Sequence, residues 1–173
     1  MRTRIGRLSA GATLSVLMAG AGGLFQARAD AATATASFLV TAAVSANCTI
    51  SANPLTFGPY DPVVVNATTN LDVNSTLSVA CTKGSTAAIS MNLGTHASGA
   101  VRRMQHSVTA TEFLTYELYT TGGRTTVWNT TNTVAYNATT KAASPVTVFG
   151  RVPSGQDIAV GNYSDSIVAT ITF

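Results

Sequence analysis

The sequence predicts an all-β protein, an antiparallel β-sandwich of immunoglobulin-like type. Apolar residues recur at every second position over several short runs, the period of a strand with one buried face. Gly, Pro, Asn and Asp punctuate these runs at strand-length intervals. Charged residues make up only 10% of the chain, and Thr, Ala, Val and Ser abound, which suits strands rather than charge-backed amphipathic helices. No repeat of 20–50 residues and no low-complexity linker interrupts the pattern.

The chain opens with Arg2, Arg4 and Arg7 and no acid, then runs apolar and small from Leu8 to Phe25, and reaches Ala27-Arg28-Ala29. A basic start, an apolar run and an A-x-A site make a secretory signal peptide over residues 1–29, cut after Ala29. A membrane anchor fits less well, because Gly and Ala dilute the run and no stop-transfer pattern follows. Cleavage leaves 144 residues, enough for one domain. It also removes four of the ten basic residues, so six face seven acids and the net charge becomes −1. A nucleic-acid partner needs a clustered basic face and finds none here.

Residues 32–50 form a long alternating stretch. Ala34, Ala36, Phe38, Val40, Ala42 and Val44 fall on one edge, with Thr35, Ser37, Thr41 and Ser45 on the other. The run is longer than a usual strand of about 5–6 residues. Two strands end to end would explain it, and so would a strand that leaves its own domain to complete another. The organisation read here is residues 30–47 as an N-terminal segment that includes that strand, with or without the first domain strand, and residues 48–173 as the sandwich.

After Ile50, Pro54, Gly58, Pro59 and Pro62 exclude a long central strand, and Leu55, Phe57 and Tyr60 are expected to plug the core from an irregular edge. Residues 63–65, three valines, are expected to resume a short strand. Leu71, Val73, Leu77, Val79 and Cys81 alternate with polar residues up to a turn at Gly84. Ile89, Met91 and Leu93 share a face, and so do Leu114, Tyr116 and Leu118. Arg102 and Arg103 read as a solvated loop, as do His96 and His106. Val127 and Trp128 form a short apolar element, with Trp128 a core plug. Val146, Val148 and Val152 mark another strand. The final run, S-I-V-A-T-I-T-F, puts Ile167, Ala169 and Ile171 toward the core, with Phe173 closing its end. A strand there either sits inside a sheet or offers an edge that something must cover.

Cys48 and Cys81 are the two cysteines of the chain. Both enter an oxidising compartment on export, so a Cys48–Cys81 disulfide is expected. A metal pair lacks partners, since neither histidine stands at ligand spacing. No G-x-S-x-G elbow, paired carboxylates or phosphate-cradling loop is present. Asp61 and Asp165 read as turn or cap residues. The expectation is therefore no enzyme, no metal and no cofactor.

The ordered set F-L-V-T-A-A-V-S-A-N-C-T-I, L-T-F-G-P-Y-D, L-S-V-A-C-T-K-G, L-T-Y-E-L-Y-T, Trp128, V-F-G-R-V-P-S-G-Q and G-N-Y-S-D-S-I-V-A-T-I-T-F resembles the spore coat protein U domain family. The resemblance covers nearly all of the mature chain. That family includes subunits of archaic chaperone–usher pili. The resemblance implies an incomplete sandwich, completed by donor-strand exchange. A periplasmic chaperone first lends a strand, and at an outer-membrane usher the N-terminal strand of another copy or a related pilin replaces it. It implies a donor strand carried by Ala34, Ala36, Phe38, Val40, Ala42 and Val44, and a groove-edge strand carried by Ile167, Ala169, Ile171 and Phe173. The product would be a cell-surface fibre for attachment and biofilm formation. A self-contained secreted or coat protein of the same family, or a small adhesive or carbohydrate-binding module, are the alternatives.

Overall fold

The structure, a computed structural model, describes residues 30–173. The expected signal peptide and its cleavage residues, Ala27 and Ala29, lie outside the described residues. The chain divides between Thr41 and Ala42 into two units. Of the first unit, residues 30–41 are described; they form no strand and are exposed.

The second unit is an antiparallel β-sandwich. Among the described residues it has nine strands and no helix. They are β1 (Cys48–Ala52), β2 (Leu71–Cys81), β3 (Thr86–Met91), β4 (Arg102–His106), β5 (Phe113–Tyr119), β6 (Val134–Asn137), β7 (Ser144–Val152), β8 (Tyr163–Ser164) and β9 (Ala169–Thr172). One sheet has the order β1-β2-β7-β5-β4-β8 and the other β6-β3-β9.

The alternation in sequence becomes the inner faces of these sheets. On β5, Leu114, Tyr116 and Leu118 are buried while their neighbours are only half-buried. Leu77, Val79 and Cys81 do the same on β2, and Val148 and Val152 on β7. Ile89 and Met91 face them from β3. Trp128 fills the space between, fully buried, and its indole N–H donates to the Ile89 carbonyl at 2.8 Å. Each such aliphatic side chain contributes about 1.5–3 kcal/mol by leaving water. Cys48 and Cys81 stand opposite each other on β1 and β2 and form a disulfide.

Four expectations need correction. Residues 63–65 form a turn, and their valines are 81%, 72% and 59% exposed. Asp61 Oδ1 accepts from the N–H of Val63 and Val64, and Asn66 returns bonds to the Asp61 backbone. These side-chain bonds coil the chain and override the β-propensity of valine. Arg102 and Arg103 are not in a solvated loop: they open β4, Arg102 wholly buried and Arg103 half-buried. His106 ends the same strand, 8% exposed, with Nδ1 accepting from Val108 and Thr109 and Nε2 against the Val160 carbonyl. The strand within residues 166–173 is shorter than expected, and Phe173 lies past its last pair, 54% exposed, instead of closing the core.

Candidate functional site

β9 pairs with β3 along one edge, from Met91↔Ala169 to Ala88↔Thr172. Its other edge has no strand partner among the described residues. Beside that edge a groove of about 1070 Å³ opens into the sandwich. Its floor is the inner face of the larger sheet, including Leu77, Leu114, Tyr116, Leu118 and Val152. One wall is residues 52–62 and the other residues 158–169.

The first wall is irregular because Pro54, Pro59 and Pro62 deny it ladder donors. Leu55 and Phe57 instead press over Gly150, where a Cβ would lie 2.9 and 3.0 Å from their side chains. Phe57 meets the edge of the Tyr116 ring with centroids 6.0 Å apart. The Tyr60 hydroxyl donates to the Pro153 carbonyl at 2.9 Å and accepts from Gln156 N–H at 3.1 Å. Gln156 in turn bonds both backbone groups of Thr115. This end of the groove is therefore fixed by polar contacts to β5 and the chain after β7.

The second wall outlasts the β3–β9 ladder, which stops at Met91. Asn92 continues it: its N–H donates to the Val168 carbonyl at 3.0 Å and its Oδ1 accepts from Val168 N–H at 2.9 Å. Asp165, with its side chain 2% exposed, comes next. Its Oδ1 accepts from Thr95 N–H at 2.9 Å and His96 N–H at 3.2 Å, and lies 3.2 Å from His96 Nδ1. Its Oδ2 accepts from the Tyr116 hydroxyl at 2.7 Å. Burial, first, and this bond to a carboxylate, second, push the Tyr116 phenol well above its usual pKa. Tyr116 therefore stays a neutral donor.

The predicted site residues divide between the two units. Ala34, Ala36, Phe38 and Val40 lie in the first, exposed and outside any strand; Phe38 is 85% exposed. Ala42 and Val44 open the second, also exposed. Thr82 then guides the chain into β1: its hydroxyl contacts the Ser45 carbonyl and accepts from Asn47 N–H. Ile167, Ala169 and Ile171 are half-buried against the core. Ile167 and Ala169 line the groove. The buried Arg102 and the half-buried Asn92 behind the groove wall escaped the sequence reading, because polar residues at inward positions break the apolar period, whereas Asp165, read as a turn or cap residue, does bond backbone N–H groups. Among the described residues no cluster of His, Cys, Asp or Glu could hold a metal ion. The walls and floor offer apolar side chains and, among the described residues, an unpaired strand edge, the requirements for adding a strand.

Comparison with known proteins agrees with this fold. A family model described as the Spore Coat Protein U domain matches residues 34–170. The chain is 41% identical over 158 residues to Protein U of Myxococcus xanthus, a match covering 84% of this chain and 88% of that protein. In structure it is similar to a chain of the CsuC-CsuE chaperone–tip adhesion subunit pre-assembly complex from archaic chaperone-usher Csu pili of Acinetobacter baumannii. The TM-score is 0.55 at 19% identity, over 75% of this chain and 40% of that one. The chain thus spans about two fifths of the solved chain, and the likeness is one of fold.

Proposed function

The chain belongs to the Spore Coat Protein U domain family, and from that premise we propose that it is an exported structural subunit, a pilin, of an archaic chaperone–usher fibre. The observation that carries this reading is the edge of β9 that has no partner among the described residues, above an open apolar groove. An edge of this kind invites pairing with another chain, and an added strand gains both a backbone ladder and pockets for alternate side chains.

In this reading a periplasmic chaperone covers the groove first. At the outer-membrane usher it gives way to the N-terminal segment of another copy or of a related pilin. Residues 34–44 supply that donor strand: Ala34, Ala36, Phe38, Val40, Ala42 and Val44 enter the groove, and Thr and Ser stay outside. A slip of one residue would turn the polar set inward, so the pattern itself fixes the register. The assembled fibre is displayed at the cell surface, where attachment and biofilm formation are its use.

A second reading, a self-contained coat or secreted protein, is favoured by the 41% identity to Protein U over nearly its whole length. Expression with and without the cognate chaperone, followed by sizing, separates the two. The pilin reading expects a one-to-one complex with chaperone and polymer or loss without it. A stable monomer in both conditions would overturn it.

A further inference from the structure

The wall that carries Ile167 is held from behind by one backbone bond, from Asn92 N–H to the Val168 carbonyl, and otherwise by side chains. The β3–β9 backbone ladder ends at Met91↔Ala169, yet residues 165–168 continue along the groove. Asn92 extends the ladder by one step at Val168, through its N–H and its Oδ1, and Asp165 anchors the wall where it leaves β8. The Asp165 carboxylate joins three segments: the β3–β4 loop through Thr95 and His96, β5 through Tyr116, and the wall through its own backbone.

This arrangement is built for the carboxylate. Gly94 lies directly against it, with φ at +87° and a Cβ position that Asp165 already occupies. A side chain there would clash with Asp165 and strain the backbone as well. Arg103 Nε donates to the His96 carbonyl at 3.0 Å, which steadies the loop that supplies two of the donors.

We infer that Asp165 is a positioning residue for strand uptake: it holds the wall at residues 165–168 in the strand-accepting arrangement before any strand arrives. This rests on the reading of the groove as a strand acceptor. With a single backbone bond to the β3 side, the stretch between β8 and β9 would otherwise fluctuate, and affinity falls by the fraction of molecules that are competent to bind. Once a strand pairs along the free edge, the wall is held from both sides. Loss of Asp165 therefore slows uptake and leaves release unchanged.

The test measures association and release of a fluorescein-labelled peptide of residues 32–46 with the exported chain, freed from its co-purified chaperone immediately before mixing. Asp165→Ala should lower the association rate about tenfold with release unaltered. Asp165→Asn keeps an acceptor for the Thr95 and His96 N–H groups and should restore most of the rate. Tyr116→Phe, which keeps the ring and removes one donor, should slow uptake about threefold and serves if Asp165→Ala does not fold. Unchanged association in these variants, with the unsubstituted chain taking up peptide, overturns the positioning role alone. Release accelerated in proportion overturns it too, since that marks general loosening. An unsubstituted chain that takes up no peptide overturns the acceptor reading, and the positioning role with it.

Discussion

Arg102, buried in β4, donates from Nη1 to Glu117 Oε2 at 3.0 Å, and its backbone N–H donates to Oε1 of the same carboxylate at 3.1 Å. The rest of the guanidinium reaches the carbonyls of Asn92 and Trp128. One cation thus ties β4, β5, the end of β3 and the tryptophan segment together. A buried charge is tolerated when its donors are satisfied, and removing one partner costs about 3–5 kcal/mol.

Arg102→Ala and Glu117→Ala should each destabilise the domain by about that amount, and the double variant by clearly less than the sum. A double-mutant cycle by chemical denaturation measures this. Additive losses would mean that the two side chains act independently.

The strands with apolar inner faces were legible in the sequence. Leu114, Tyr116 and Leu118 alternate without exception, and so do Leu77, Val79 and Cys81 on β2. The disulfide followed from compartment and count. β4 was not legible, because its inward positions are Arg102, Met104 and His106, two of them polar. β6 escaped notice because only Val134 and Tyr136 mark it, within a polar stretch. The residue 63–65 turn depends on Asp61 and Asn66 folding back on each other, which outweighs three β-branched side chains. The groove lies where β9 has no partner among the described residues, and periodicity reports what a strand presents, not whether a neighbour meets it.

The exported chain should hold no free thiol, and Cys48→Ser should lower stability by about 3–4 kcal/mol for a loop of 33 residues. Thiol labelling of the unreduced protein, native and denatured, reads the first point, and a denaturation curve the second. Labelling at both cysteines would contradict the pairing.

Asp72 sets part of the acid limit. The bond from Arg151, first, and the nearby charge of Arg124 hold its carboxyl below the usual 3.8. A carboxyl lowered on folding contributes stability above its ordinary value and loses that contribution as pH falls through the lowered one. The pair is partly exposed, so the contribution is about 0.2–1 kcal/mol. Asp72→Asn should be less stable than the unsubstituted chain at pH 7 and equal to it at the acid end. Thermal unfolding across pH measures this, and a gap that persists at pH 2 would contradict it.

Deleting residues 170–173 removes three of the four β9 partners of β3, including Ile171 opposite Ile89. Chaperone capture should be lost, and the truncated chain should be cleared by proteases. Co-purification with the chaperone at the normal yield would show that β9 is dispensable.

The most direct measurement uses Phe38→Asp in a mixing assay, with the variant supplied separately as donor and as acceptor and fibre growth followed by sizing. Phe38 stands in the exposed N-terminal segment, and a carboxylate carried into a neighbour's apolar groove would cost several kcal/mol. The variant should fold with its chaperone, accept a strand from the unsubstituted subunit, and fail only as donor. Equal fibre growth with the variant as donor, or failure to fold even with chaperone, would contradict donation from this segment.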